Sequence, residues 1–358
     1  MPTVNEALRD RAIPHAIEVG RFGNGLSARI IALLNSADAD ILEKMAGRLA
    51  SIEERGMDIG PKTTVRLNKL LEEIRALNDA IYGQVHERLS DELTAFAEAE
   101  AAFQKATLDT ALVVELDTAL PAPALLRAIV EEAPMEGRLL ASYTKGMAQG
   151  RIDRMSKAIR LGLVQGESTD KIVARVRGTR AARYEDGVLQ ISRRSAQSIV
   201  RTATTHVSNQ AAQHTWRENA NVVKGWQFVS TLDSRTTVTC AALSGQTFPI
   251  GEGPIPPRHI RCRSISIAVT KSFAEMGIDR AELLPGQRAS MDGQVAGDTT
   301  FSKWLNDKGA ETQDTILGAT RAKLFRDGKL NLQDFIKADG TVLTLDQLQS
   351  KYPDILAL

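Results

Sequence analysis

Cysteine is nearly absent: Cys240 and Cys262 are the only two in 358 residues. That excludes a small secreted scaffold stapled by disulfides. Aromatic residues make up 4% of the chain, so its cores have to be built from Leu, Ile, Val and Ala, which favours helices over aromatic-rich β-sandwiches. No apolar run approaches the roughly 20 residues needed to span a bilayer. The first residues carry acids at Glu6 and Asp10 and lack the apolar centre of a secretory signal, so no membrane partner is expected and synthesis in the cytosol is. Charge of one sign is not in excess either: 45 Lys and Arg stand against 44 Asp and Glu, a net +1, which removes any global electrostatic case for nucleic-acid binding. No phosphate loop, His-Glu-x-x-His or Gly-x-Ser-x-Gly motif occurs, and no enzymatic activity is expected.

What is present is helical periodicity. From Ala28, the residues Ile30, Ile31, Leu33, Leu34, Ile41, Leu42, Met45 and Leu49 recur at three- and four-residue steps, with Ser36 or Asp38 as a candidate cap inside the run. Gly56, Gly60 and Pro61 punctuate it. A second run extends from Val65 to Leu89, and a third, rich in Ala and Glu, from Leu93 to Leu112. Helices are expected again at Pro123–Val130, Leu139–Val164, Lys171–Arg177 and Ser192–Asn219, with a polar, basic loop from Gly178 to Gly187. The texture changes at Val222. Lys224 to Ser230 alternates as a strand does, turn formers lead to Thr247 and Phe248, and Ile265, Ile267 and Val269 alternate again. Helices are expected in the tail at Phe301–Lys308, Thr312–Arg326 and Leu330–Ile336. The fold class is therefore α+β and predominantly α-helical. Four segments are expected: a helical hairpin or bundle over 1–122, a helical lead-in over 123–220, a small α+β core with short strands over 221–272, and a helical tail over 273–358.

The chemistry-bearing residues concentrate in the third segment. Trp226 lies on the first strand. Asp233-Ser234-Arg235-Thr236 follows, then Cys240, Leu243 and Gly245, a proline-rich loop ending at Pro257, and His259-Ile260-Arg261-Cys262-Arg263. This order and spacing, over roughly Arg201 to Val269, resembles the phage Mu protein F head-morphogenesis family. In that family a Trp-bearing strand precedes Asp-x-Arg-Thr, a Cys or His, Leu-x-Gly, a proline-rich loop and His-x-x-Cys-Arg. The tail, with Phe301, Trp304, Gly318 and Thr344-Leu345, looks like segments that follow this module in phage head proteins. One departure stands out. Metal-bearing relatives show a Cys-x-x-Cys and a His-x-x-Cys-x-Cys, and here Thr237 and Ser264 occupy the first and last cysteine positions.

Three readings of Cys240, His259 and Cys262 stay open. They could hold a structural zinc ion, with Asp233 as an oxygen ligand in the fourth position. They could form a disulfide between Cys240 and Cys262, which cytosolic assembly disfavours. Or both thiols are reduced and buried, His259 is bonded to a loop, and no cofactor is needed. Asp233 and Arg235 suit a turn, with Arg235 or Arg263 forking onto the aspartate. Gly245 supplies a positive φ.

Arg175, Arg177, Arg180, Arg183, Arg193, Arg194 and Arg201 form a local basic excess that Glu185 and Asp186 interrupt. Of these, Arg193, Arg194 and Arg201 are candidate DNA contacts, against the plainer reading of a solvated helix face. The resemblance implies a minor head protein in the phage virion, made in the host cytoplasm. Such a protein would act in prohead assembly and in DNA packaging or ejection. Its implied partner is the portal protein, with scaffold or major capsid protein and the phage genomic DNA as further contacts. A nuclease or toxin effector bearing the same module, and a DNA-binding adaptor, are the alternatives.

Overall fold

The computed structural model describes residues 4–55, 60–112, 117–277, 287–290, 293–296, 299–337 and 339–356. Two long helices come first, α1 (Val4–Glu53) and α2 (Pro61–Ala111). Then follow α3 (Pro123–Glu132), α4 (Leu140–Val164), α5 (Thr169–Arg177) and α6 (Val188–Glu218). The chain continues through β1 (Val223–Val229), α7 (Val238–Leu243), β2 (Thr247–Phe248) and β3 (Ile265–Thr270). A separate hairpin pairs β4 (Gln287–Ser290) with β5 (Gly293–Ala296). The tail is α8 (Phe301–Asn306), α9 (Ala310–Leu317), α10 (Ala319–Arg326), a 3-10 turn at Leu332–Phe335, α11 (Leu345–Lys351) and α12 (Pro353–Leu356). The expected class holds: helices dominate, and one small antiparallel sheet sits among them.

The structure corrects several local expectations. No cap interrupts the first run. Ser36 bonds back to the Leu33 carbonyl at 2.8 Å within an unbroken helix, and Asp38 is buried in an ion cluster. The runs expected at Val65–Leu89 and Leu93–Leu112 are one helix. Between Val238 and Leu243, where turn formers were expected, Thr237 caps a short helix by accepting from the Cys240 N–H at 3.4 Å. The helix expected over Thr312–Arg326 is two, because Gly318 takes φ +79° between α9 and α10. The expected punctuation at Gly56 lies outside the described residues.

Contacts divide the chain into two compact units, each discontinuous in sequence. One comprises residues 21–95 and 130–204. Its core joins Ile41, Met45 and Leu49 of α1, Leu70 and Ile74 of α2, Ile152, Met155 and Ile159 of α4, Ile172 and Val176 of α5, and Leu189 of α6. Inside this unit, Asp38 accepts from Arg151 and, at 2.6 Å, from Arg193, whose Nε also bonds Asn35 Oδ1 at 2.6 Å. Arg151 is 1% exposed and Asp38 5%, so the carboxylate is what makes a buried guanidinium tolerable.

The other unit comprises residues 1–20, 96–129 and 205–358. Its sheet has the order β2-β1-β3, with Trp226 opposite Phe248 on one side and Ala268 on the other. Trp226 and Phe228 are fully buried with Trp216 of α6, Val4 and Leu8 of α1, and Leu108 of α2. A second core in this unit packs Phe301, Trp304, Leu324, Phe325 and Phe335 of the tail against Ala241 and Ala242 of α7. The tail thus buttresses the helix that carries Cys240.

Replacing Asp38 with alanine leaves Arg151 uncompensated and is expected to cost about 3–5 kcal/mol. Asp38→Ala combined with Arg151→Met should recover most of that loss. Denaturant unfolding of the two variants measures both, and equal stability of the single and double variants would show that the charge is not what matters.

Candidate functional site

A long connection from β2 to β3, residues 249–264, makes few ladder hydrogen bonds, so its backbone has to be satisfied by side chains. One face of α6 does this. Thr205 Oγ1 donates to the Cys262 carbonyl at 3.3 Å and Gln213 Oε1 accepts from Gly251 N–H at 3.1 Å, while between them Asn209 Oδ1 accepts from Ser266 N–H of β3 at 2.8 Å. The three lie four residues apart and so share one helix face. From the sheet, Trp226 Nε1 donates to the Glu252 carbonyl at 3.0 Å, which fixes the near end of the loop. The Pro256–Pro257 peptide is cis. A tight turn follows, with Cys262 N–H bonded to the His259 carbonyl at 3.0 Å and Arg261 at φ +64°.

That turn returns His259 and Cys262 to α7. Cys240 Sγ lies 3.4 Å from His259 Nε2 and 3.7 Å from Cys262 Sγ, and the ligand atoms of all three lie within 4.8 Å of one another. Both thiols are buried and non-bonded, and His259 is partly exposed. His259 Nδ1 approaches the Ile260 carbonyl at 3.0 Å, a contact that places a proton on Nδ1 and leaves Nε2 as the acceptor or ligand atom. The hydrogen bond shared with Cys240, in which either sulfur can donate, lowers the Cys262 thiol from its ordinary value, and the Arg258 N–H adds to this against burial. The same hydrogen bond, reinforced by burial, pushes Cys240 upward.

Two of these distances, Cys240 to Cys262 and Cys240 to His259, are close to those between ligands of a zinc ion. Zn–S bonds near 2.3 Å and Zn–N bonds near 2.0–2.1 Å in a tetrahedron put two sulfurs about 3.8 Å apart and sulfur and nitrogen about 3.6 Å apart. The expected fourth ligand does not fit. Asp233 Oδ2 and Oδ1 accept from Arg263 Nη1 and Nη2 at 2.6 and 2.8 Å, and Oδ1 also takes the Arg235 N–H at 3.0 Å. With both oxygens held in a forked pair, Asp233 stays outside the three-residue group. The hydroxyls at the two substituted positions do border the cluster. Thr237 caps the helix under Cys240, and Ser264, 3% exposed, bonds to its thiol.

The other expected motif residues also converge. Thr236 Oγ1 bonds the Thr231 carbonyl and closes the Asp233 turn, while the Arg235 side chain extends into solvent at 79% exposure and 3.6 Å from Asp233. Leu243 is buried at the end of α7. Gly245 takes φ +89°, as its turn requires, and donates its N–H to the Phe228 carbonyl at 2.8 Å. Pro257 is buried in the loop. The candidate DNA contacts sit elsewhere. Arg193 serves Asp38, Arg194 pairs with Glu185 at 3.1 Å, and Arg201 is half-buried on α6.

Residues 153–267 match the Phage Mu protein F like protein family. That stretch is similar to the Mu F-like family and is called the Mu F-like module below. The matched stretch is roughly a third of the chain and begins within α4, well before the Trp-bearing strand, so α5 and α6 belong to the module as much as the sheet does. It contains the whole Asp233-to-Cys262 constellation. The family supports a place among bacteriophage head-morphogenesis proteins. No curated protein and no solved structure matches the chain. Among the described residues no helix is long and apolar enough to cross a membrane.

Burial raises the Asp233 pKa, but the forked bonds and charge of Arg263, with the Arg235 N–H, outweigh it and hold the carboxyl below its ordinary value. A depressed folded-state value stabilises above the unfolded pKa of about 3.9 and is lost as pH falls through the folded value. Asp233→Asn should therefore melt below the wild type at neutral pH, and the two melting curves should converge as pH falls below about 4. A gap that persists in acid would show that shape, not charge, makes the clasp.

Proposed function

We propose that this protein is a minor head protein that acts in prohead assembly and in DNA packaging or ejection at or near the portal. The match of residues 153–267 to the Mu F-like family carries this reading. The use made of the motif residues supports a structural role. The motif residues are spent on closing a compact module: Asp233 on Arg263, Trp226 on the loop backbone, Gly245 on a turn. The portal protein is the proposed partner, with scaffold or major capsid protein as further contacts and the virion as the final location.

The test is imaging of proheads assembled from the cognate head genes with this chain labelled. Density confined to one vertex, together with heads that fail to fill when the chain is omitted, is the expected result. Label spread evenly over the shell, or absent from purified proheads, would overturn the assignment.

A second proposal concerns the cofactor. The sulfur–sulfur and sulfur–nitrogen distances favour zinc on Cys240, His259 and Cys262, with the fourth position left to water or another small ligand. The metal would supply a cross-link between α7 and the loop. Elemental analysis should find about one zinc per chain in the wild type and much less in Cys240→Ser. A chelator should lower the wild-type melting temperature and leave the variant unchanged. Metal-free protein that melts identically with and without chelator would leave the thiol–imidazole hydrogen bonds as the whole of the cross-link.

A further inference from the structure

The connection from α5 to α6, residues 178–187, is not a slack loop. Arg183 and Tyr184 both lie in the left-handed region, at φ +52° and +63°. Gly178 takes φ +98°, and a Cβ there would sit 2.7 Å from the Tyr184 carbonyl oxygen. A Cβ on Gly187 would sit 2.4 Å from the Gly178 nitrogen. Hydrogen bonds from Arg183 N–H to the Arg180 carbonyl at 3.0 Å and from Tyr184 N–H to the Thr179 carbonyl at 2.8 Å lock the shape. Consecutive non-glycine residues in this region cost free energy, and such conformations gather at binding sites.

Acids and bases are used differently in this loop. Asp186 is exposed but engaged within the loop, accepting from Thr179 N–H at 2.7 Å and from its hydroxyl at 2.8 Å. Glu185 pairs with Arg194. Arg180 and Arg183 are exposed and have no carboxylate partner among the described residues. Arg177 lies over the ring of Tyr184, 5.5 Å from its centroid, and that ring is 41% exposed. The sequence around the loop is also selective: seven arginines and no lysine fall between Ile172 and Ala203. Guanidinium forks suit phosphate, and their delocalised charge dehydrates more readily than an ammonium.

We propose that the 178–187 loop contacts the phosphodiester backbone of double-stranded DNA through Arg180 and Arg183, on a surface held ready by the backbone lock. The contact does not depend on where the protein sits in a phage head. Charge on a rigid loop binds without the ordering penalty that a flexible basic tail bears. No base edge is read, so affinity is independent of sequence and falls with salt through counterion release.

The experiment is fluorescence anisotropy of a short labelled DNA duplex with the full-length protein across a salt series. Arg180→Gln/Arg183→Gln should weaken binding about tenfold at low salt and reduce the salt slope by roughly 1–2, about 0.9 for each phosphate left without its arginine. The control is Lys323→Gln/Lys329→Gln, which removes the same charge from an exposed stretch of the tail. Arginine-specific labelling of the wild type supplies a readout free of any folding effect, since DNA should protect Arg180 and Arg183. The proposal is overturned by absent binding at low salt, by equal losses in both double variants, by labelling that DNA leaves unchanged, or by polyglutamate binding where DNA does not. Failure here leaves the prohead imaging untouched, so the two readings stand or fall separately.

Discussion

The Mu F-like module depends on keeping a long loop in place without a sheet to hold it. A backbone that leaves the β-ladder and returns fifteen or so residues later carries donors and acceptors that must be met inside the protein. Here α6 meets two of them with Thr205 and Gln213 and holds the start of β3 with Asn209, while Trp226 meets another from the strand. The Cys240–His259–Cys262 cluster and the Asp233–Arg263 pair then close the far end. Without the α6 row, these two closures would join segments whose backbones have no fixed path.

This accounts for where the family match begins. A description of the module as a few short strands with a histidine and two thiols would start near Val223. The match starts at Asp153, within α4, and takes in α5 and α6. The helix that supports the loop is therefore as much part of the recognisable unit as the loop itself. Asn209 and Gln213 are 3% and 2% exposed, and each turns its amide oxygen to a backbone N–H.

Much of the fold was legible because it rests on periodicity. Apolar residues at three- and four-residue steps marked α1, α2 and α4, and alternation marked β1 and β3. Boundaries failed where long-range chemistry overrode a local signal. Asp38 has the composition of a cap, but a buried arginine 113 positions away claims it. The Thr237–Leu243 helix was missed because six residues show too little of a period, although its capping threonine was a usable sign. At the site, the order of motif residues located the cluster, but the role of Asp233 was not separable by sequence between metal ligand and arginine partner. The α6 row was not separable by sequence, because Ser, Thr, Gln and Arg recur along the whole of that helix. Tyr184, seated among the arginines of the α5–α6 loop, was passed over because only coordinates show Arg177 above its ring.

The adjacency of Cys262 and Arg263 has a consequence for the gene as well as for the protein. One residue turns its sulfur toward α7 and the next turns its guanidinium to the Asp233 bend. Inserting or deleting a single codon between His259 and Arg263 would disengage both at once, since neither partner can follow a one-residue slip. Codon gains and losses should therefore be purged from this stretch.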